Sequence, residues 1–353
     1  MPAGRWVARD STLYGRFWGP SSWPDLKTRD LKTTRTAGQA LPGWPTPSVL
    51  GSGGPSSRIP AVIEYQGSVF RPPSEANSLI LQATLGCSYN ECTFCGMYRD
   101  KRFRVRPIAE LRKEIAWAAQ HLGGVRKVFL ADGDALVAKA SFLHQVLEAL
   151  HGALPNLQRV SCYASPQALA IRSVEEMRAL REAGLTQYYL GIESGCDATL
   201  AYLQKGVDSA EMIRVANKAQ EAEIKLSTMI LLGAAGHAGS ERHARESARV
   251  VNAIQPRFVS TLVMTPVEGT PLMEQYQAGQ LDEWTPVELA RELRVFLAHL
   301  ELSGTVFRSN HASNYLALKG TLPKDQAALV AVLDKVLAHP ECAPFVPEWL
   351  RAL

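Results

Sequence analysis

Long hydrophobic runs and cysteines are both scarce in this chain of 353 residues. The longest apolar stretch, near residues 227–235, reaches about half of the ~18 residues that a membrane-spanning helix needs, so we expect no membrane partner. Six cysteines are too few for the disulfide scaffold of a small secreted domain, and three of them fall within nine residues. This distribution predicts a reducing, cytoplasmic location and one thiolate-rich site.

A surplus of basic charge is missing from most of the chain. The formal net charge is +4, but residues 1–60 carry eight Lys and Arg against three Asp and Glu, which leaves 30 against 31 for the rest. Domains that bind nucleic acid usually carry a basic face. The nearly neutral remainder therefore argues against nucleic acid as a partner. It also argues against one function class, that of RNA-modifying enzymes.

Regular periodicity is absent from the first 60 residues, which are rich in Pro, Gly, Ser, Arg and Trp. A segment of this composition has too little apolar surface to bury a core. We predict a disordered, basic tail at residues 1–60. A transit peptide is the alternative, and three Asp residues and the many Pro and Gly residues weigh against it.

From residue 77 onward, short apolar runs alternate with segments of helical periodicity. The predicted strands are 79–84, 127–131, 159–163, 187–192, 225–232 and 258–264, and the helices between them are 108–121, 140–151, 174–183, 209–222 and 240–254. This order is the βαβ signature of a parallel sheet with right-handed crossovers. Six units fall short of the eight of a TIM barrel. The expected fold class is α/β, with a partial (β/α)6 TIM-like barrel at 77–265, a lead-in segment at 61–76, and a mostly helical extension at 266–353 that covers the substrate side.

Three cysteines directly follow the first predicted strand. Cys87, Cys92 and Cys95 form a C-x4-C-x2-C run. Structural zinc needs four protein ligands, and the next Cys or His along the chain is His121. On a [4Fe–4S] cluster, which four cysteines normally hold, three ligands leave one iron open to an amine and a carboxylate of a small molecule. A zinc site and a redox pair of two cysteines are the alternatives.

This cysteine run, its place after the first strand and Phe94 before the last cysteine resemble the radical S-adenosylmethionine (radical SAM) superfamily. The commonest spacing there is C-x3-C-x2-C, so this chain has one extra residue, and Asn90 is a residue type that tolerates the left-handed backbone of a longer loop. The resemblance implies a [4Fe–4S] cluster on the three cysteines and S-adenosylmethionine as cosubstrate. It also implies a strongly reducing, oxygen-sensitive cluster and a ferredoxin or flavodoxin as electron donor.

The resemblance further implies cosubstrate contacts after later strands. Asp132, Gly133 and Asp134 stand where the superfamily has a Gly-Gly-Glu contact for the methionyl amino group, and a helix N-cap is the alternative. Glu193 and Ser194 lie in a Gly-Ile-Glu-Ser-Gly sequence, like that of the branch with oxygen-independent coproporphyrinogen oxidases and methylthiotransferases. These two residues would contact the ribose or the methionyl end, and a buried turn network is the alternative.

Two further positions are implied near the adenine. Leu231 and Gly233 keep the shape of a Gly-x-Ile-x-Gly-x-x-Glu contact, but Gly236 replaces its glutamate. Phe94 is also expected to lie near the adenine. The alternative is that its ring covers the cluster and shields it from solvent.

A polar string in the C-terminal extension and two isolated cysteines complete the candidates. The string either contacts substrate or ties the C-terminal helices to the barrel mouth, and its members are Arg308, Asn310, His311 and Asn314. Cys162 ends the third predicted strand and is a candidate to face the barrel lumen, and Cys196 follows the Glu193 motif. Such cysteines also occur as small buried hydrophobic residues.

Taken with the resemblance, these features predict a radical SAM enzyme. Such an enzyme cleaves S-adenosylmethionine reductively, and the resulting 5′-deoxyadenosyl radical abstracts hydrogen from a substrate. The substrate is a small molecule or a peptide, and no residue is assigned to its chemistry. The alternative of a different class is a non-enzymatic relative that carries or delivers haem.

Overall fold

The structure, a computed structural model of the chain, describes residues 63–351. The predicted tail at 1–60 lies outside the described residues, and the domain boundaries drawn from the sequence stay predictions. Within 63–351, no helix is both long enough and apolar enough to cross a bilayer.

One eight-stranded sheet forms the centre of the fold. Its strands, in spatial order, are β1 (Leu79–Gln82), β4 (Lys127–Ala131), β5 (Arg159–Tyr163), β6 (Leu185–Glu193), β7 (Lys225–Leu232), β8 (Phe258–Val263), β9 (Thr305–Arg308) and β10 (Lys319–Leu322). The first seven pair in parallel, and β10 pairs with β9 in antiparallel. A separate hairpin joins β2 (Thr84–Leu85) to β3 (Arg104–Val105). The predicted α/β fold with a parallel sheet is confirmed.

Helices connect the strands. They are α1 (Ile108–His121), α2 (Ala140–Ala153), α3 (Pro166–Ile171), α4 (Val174–Glu182), α5 (Asp197–Tyr202), α6 (Ser209–Glu221), α7 (Gly236–Ile254), α8 (Pro271–Gln277), α9 (Pro286–Ala298) and α10 (Gln326–Ala338), with single 3-10 turns at Pro73–Glu75, Ala135–Val137, Pro340–Cys342 and Glu348–Leu350. The extension is mostly helical, as expected, but it also adds β9 and β10 to the sheet. These two strands were not predicted, because each has only four residues and its β structure depends on pairing with a neighbouring strand.

The two faces of the sheet bury different residues. Phe129, Tyr163 and Tyr189 lie on the face that lines the barrel lumen, while the residues between them pack against the helices. Cys162 belongs to the helix face and is completely buried there. The expectation that Cys162 faces the lumen is therefore wrong, because side chains alternate along a strand and Tyr163 takes the lumen position.

The lead-in segment enters the lumen where the parallel strands begin. Glu75, fully buried, accepts hydrogen bonds from Arg159 Nη2 at 2.6 Å and from Ser161 Oγ at 3.1 Å. The Tyr189 hydroxyl donates to the same carboxylate at 2.5 Å. This network anchors the lead-in segment at the end of the barrel opposite the cysteine loop.

Candidate cofactor site

The cysteine loop, residues 86–98, is attached to the end of β4. The Gly86 N–H donates to Asp132 Oδ2 at 3.0 Å, and the Gly133 N–H donates to the Gly86 carbonyl at 3.1 Å. Ser88 Oγ donates to Asp134 Oδ2 at 2.6 Å. Sequence neighbours at the end of one strand thus fix the start of the loop from three points.

Both aspartates at this strand end are fully buried and already hydrogen-bonded. Asp132 also accepts from Lys101 Nζ at 3.0 Å, and Asp134 accepts from Ser165 Oγ at 2.6 Å. Burial raises the pKa of Asp134, and the hydrogen bond from Ser165 opposes that rise. The side chain of Asp134 does not cap the 3-10 turn that follows it, so the N-cap alternative is not what the structure has.

Gly133 brings the β4 end against the loop. A Cβ atom at this position would lie 2.7 Å from Cys87 Cβ and 2.8 Å from the Tyr98 ring. Tyr98 is 2% exposed, and its hydroxyl has no hydrogen-bond partner in the described part of the chain. Tyr98 was not predicted as a site residue. Its position three residues after the last cysteine does not indicate that its hydroxyl is buried and unpaired.

All three predicted ligand cysteines are free thiols of intermediate exposure. Burial raises the pKa of each thiol, to about 11 for Cys92, and the nearby Lys205 ammonium opposes the rise for all three. The charges of Cys87 and Cys95 add to the rise in the pKa of Cys92. Within residues 63–351, no three His, Cys, Asp or Glu side chains gather closely enough to hold a single metal ion. The donors nevertheless fit a [4Fe–4S] cluster, which binds through cysteine thiolates and is larger than one ion.

The far side of the loop rests on the end of α5. The Thr93 N–H donates to the Leu203 carbonyl at 3.0 Å, and the Tyr89 hydroxyl donates to the Gln204 carbonyl at 2.9 Å. The Arg99 guanidinium closes the loop on itself, with Nε 2.9 Å from the Cys95 carbonyl and Nη2 2.7 Å from the Cys92 carbonyl.

A buried ion pair lies beside the loop at the end of β6. Glu193 Oε1 is 3.0 Å from Lys205 Nζ, and both side chains are about one-tenth exposed. Glu193 has a left-handed backbone, with φ at 65°, where the pairing of β6 with β7 shifts register. Because that conformation is costly for a residue with a side chain, its presence at a strand end favours a functional role. The pattern that singled out Glu193 gave no signal for Lys205.

The adjacent Ser194 is fully buried in a hydrogen-bond network, as the alternative interpretation of this motif described. Its Oγ lies 2.8 Å from His243 Nδ1 and accepts from the Cys196 N–H at 3.0 Å. The Cys196 side chain is buried as well. Contact of Ser194 with a cosubstrate stays a prediction.

Two of the three residues predicted near adenine, Phe94 and Leu231, lie in one apolar cluster. Phe94 packs on the small apolar cluster that contains Leu203, Leu231 and Ala234. The cysteine loop and the end of β7 therefore share one apolar surface at the edge of the sheet. Gly233, two residues further, has a left-handed backbone with φ at 81°.

The polar string of the extension lies elsewhere and is not drawn together into one cluster. Asn314 is buried and ties the extension to β8, since its Oδ1 accepts from the Val263 N–H at 2.9 Å. Arg308 and Asn310 are exposed, and His311 bonds to Ser313 at 2.9 Å. Burial lowers the pKa of His311. No hydrogen bond links these residues to the cysteine loop in the part of the chain that the structure describes, so their contact with substrate stays a prediction.

Comparison with known families gives the decisive observation. The family model of the Radical SAM superfamily matches residues 81–242, which include the whole cysteine loop and the ends of β4 to β7. Residues 81–242 belong to the radical SAM superfamily. This match confirms the predicted superfamily for residues 81–242, together with the [4Fe–4S] cluster and S-adenosylmethionine that the superfamily uses.

Individual relatives of this chain are distant. An uncharacterized protein of Methanocaldococcus jannaschii is 29% identical over 114 residues, which are 31% of this chain and 34% of that protein. A methylornithine synthase structure is 16% identical, with a TM-score of 0.47, over 64% of this chain and 63% of that one. The coproporphyrinogen III oxidase of Escherichia coli is 14% identical, with a TM-score of 0.48, over 63% and 52%. Similarity at this level carries no information about the substrate.

Proposed function

We propose that this chain is a radical SAM enzyme that cleaves S-adenosylmethionine reductively and uses the 5′-deoxyadenosyl radical to abstract hydrogen from a small-molecule or peptidyl substrate. The observation that carries the proposal is the placement of three free thiols on one loop at the strand ends of the matched domain. When bound, the [4Fe–4S] cluster supplies the electron for the cleavage.

The loop residues would hold the cluster. Cys87, Cys92 and Cys95 are the ligands in this proposal, and their raised pKa values mean that cluster assembly displaces protons from the thiols. The carbonyl contacts of Arg99 fix the backbone of two of these cysteines. Arg99 thus links the backbones of two proposed ligand positions.

Strand-end residues would orient the cosubstrate. The Gly133 backbone approaches Cys87 and leaves no room for a side chain, which suits close contact with a small ligand. Glu193 supplies a carboxylate whose charge Lys205 balances. Phe94 and Leu231 offer an apolar surface for adenine. The side chains of Asp132, Asp134 and Ser194 take part, in this proposal, chiefly by holding these backbones in place.

An electron must reach the cluster from a reductant, for which we propose a ferredoxin or flavodoxin in the cytoplasm. Arg99, Arg102 and Arg104 are exposed on or just after the cysteine loop. Their charge suits an acidic donor surface, because opposite charges speed the encounter of two proteins. A strongly reducing cluster would also make the activity sensitive to oxygen.

One assay tests the proposal. The anaerobically reconstituted chain, reduced with dithionite and mixed with S-adenosylmethionine, is expected to release 5′-deoxyadenosine. Cys87→Ala should abolish this release, whereas Cys342→Ala, at an exposed cysteine outside the loop, should leave it unchanged. Absence of product with the wild-type chain, or equal product with Cys87→Ala, would sink the proposal and leave the haem carrier as the function to test.

A further inference from the structure

A buried carboxylate from the C-terminal extension lies at the end of β7. Glu292, on α9, is 1% exposed. Its Oε1 accepts from the Gly233 N–H at 2.8 Å, and its Oε2 accepts from Ser240 Oγ at 2.6 Å. Among residues 63–351, no Lys or Arg forms an ion pair with it, and its titratable neighbour is His243, with Nε2 at 3.7 Å. Burying a carboxylate without a cation costs free energy. The presence of Glu292 at this position is therefore explained by what its two hydrogen bonds hold in place.

His243 shows what these bonds hold together. Its Nε2 is 3.0 Å from the Leu231 carbonyl, and its Nδ1 is 2.8 Å from Ser194 Oγ. A carbonyl can only accept, so Nε2 carries the proton and Nδ1 accepts from the serine hydroxyl. Burial lowers the pKa of His243 to about 4, which keeps the ring neutral. The histidine therefore joins the ends of β6 and β7.

The residues of the turn between Leu231 and Gly236 do little by themselves to fix its backbone. Gly233 and Gly236 both have left-handed backbones, and glycine is the most flexible residue type. A Cβ atom on Gly233 would lie 3.1 Å from Trp284 Nε1, so the extension packs directly on this turn. Glu292 thus supplies, from another helix, the acceptor that fixes a flexible turn beside the Phe94 and Leu231 surface.

We propose that Glu292 is a positioning residue for S-adenosylmethionine, which acts by fixing the turn after β7 that carries Leu231 and Gly233. This inference rests on the proposed function, because it assumes that the cosubstrate adenine binds against that turn. It makes the C-terminal extension a determinant of cosubstrate affinity. Trp284, Leu289 and Asp282 of the extension also lie against this turn, and Glu292 is the residue that accepts from its Gly233 N–H.

Binding of S-adenosylmethionine to the cluster-loaded chain tests the proposal without turnover. The dissociation constant is measured by anaerobic equilibrium dialysis with radiolabelled S-adenosylmethionine, and iron content and melting temperature are recorded for each variant. Glu292→Ala should raise the dissociation constant by about tenfold or more, because a buried N–H loses its acceptor and the turn is released. Glu292→Gln keeps an oxygen for Gly233 and an amide for Ser240, and should bind nearly as the wild type does.

Matched controls separate positioning from stability. Arg294→Ala, on the same helix, removes an exposed ion pair with Asp334 and should leave the dissociation constant unchanged. If Glu292→Ala does not fold, Glu292→Asp, which withdraws the carboxylate by one methylene, takes its place, with the same direction expected. A purely structural role would lower the melting temperature and leave the affinity of the folded, loaded chain unaltered.

The outcomes are distinct. Weak binding by Glu292→Ala or Glu292→Asp with full iron content, and rescue by Glu292→Gln, would support the proposal. Wild-type affinity in the Ala or Asp variant would overturn it. A wild-type chain that holds its cluster but binds no S-adenosylmethionine would overturn the proposed function, and the inference with it.

Discussion

Two buried glutamates at neighbouring strand ends are stabilised in opposite ways. Glu193, the last residue of β6, is paired with the Lys205 ammonium at 3.0 Å. Glu292 reaches the turn after β7 and relies on an amide N–H and a hydroxyl instead. The side of the site next to the thiols thus contains a balanced pair of charges, while the side predicted to face adenine contains a lone carboxylate. A matched pair of opposite charges therefore lies beside the thiols, whereas the carboxylate at the turn after β7 is stabilised by neutral donors alone.

Removal of the cation beside Glu193 would leave an unpaired carboxylate on both sides of the site. This change should have the largest effect on the free energy of unfolding. Lys205→Met leaves the Glu193 carboxylate buried without its partner, and we expect the free energy of unfolding to fall by about 3–5 kcal/mol. Urea denaturation under anaerobic conditions measures it. The double variant Glu193→Gln with Lys205→Met should regain most of the loss, and equal loss in both variants would show that the ion pair is not its cause.

The lone carboxylate of Glu292 should make the free energy of unfolding depend on pH. Burial raises the pKa of Glu292 from 4.5 to about 7, so between these values the folded chain binds a proton that the unfolded chain has lost. The contribution of Glu292 to the free energy of unfolding must therefore fall as pH rises through this window, by up to about 3 kcal/mol. Glu292→Gln lacks this dependence.

The measurement is the difference in unfolding free energy between wild type and Glu292→Gln at pH 5 and at pH 7.5. The unfolding free energy of the Gln variant should rise relative to that of the wild type as pH rises. His243 titrates in the same network, but burial lowers its pKa to about 4, so it affects the unfolding free energy mainly below pH 6.5. A difference independent of pH would contradict the contrast between the two glutamates.

The barrel was predictable from the sequence because its signals are local. Strands β4, β5 and β7 have the predicted bounds, since each is a short run of apolar and β-branched residues between helical segments. The cysteine ligands were equally local, three thiols within one loop. The strands β9 and β10 escaped because four residues carry too little periodicity, and the face of Cys162 escaped because alternation alone does not tell the lumen from the helix side.

The contacts that hold the site together were not predictable. Glu292 lies 59 residues after Gly233, and His243 lies 49 residues after Ser194. Only the folded chain brings these pairs together. Lys205 is closer to Glu193 in sequence, but a single lysine before a turn is ordinarily a solvated residue, and only its burial shows the ion pair.

Packing at the thiol side gives a smaller effect. Gly133→Ala places a Cβ atom 2.7 Å from Cys87 Cβ and 2.8 Å from the Tyr98 ring, so the cysteine loop must shift. We expect a loss of about 1–3 kcal/mol in unfolding free energy and a lower iron content after reconstitution. Gly123→Ala, where a Cβ atom would meet nothing within 4 Å, is the matched control and should retain full iron. Full iron in both variants would mean that the loop tolerates displacement.

The smallest effect is expected at the outer surface of the thiol side. Arg99 is exposed, yet it donates to the carbonyls of Cys92 and Cys95 at 2.7 and 2.9 Å. Because exposed hydrogen bonds compete with water, Arg99→Ala should cost about 1 kcal/mol, which is roughly a fivefold change in a rate or equilibrium. The measurement is the rate at which a chelator removes iron from the loaded chain. Arg102→Ala, also exposed and without a hydrogen bond or ion pair among residues 63–351, is the control. Similar release rates for the two variants would show that only charge near the loop matters, whereas faster release from Arg99→Ala alone would show that the two carbonyl contacts hold the ligand cysteines in place.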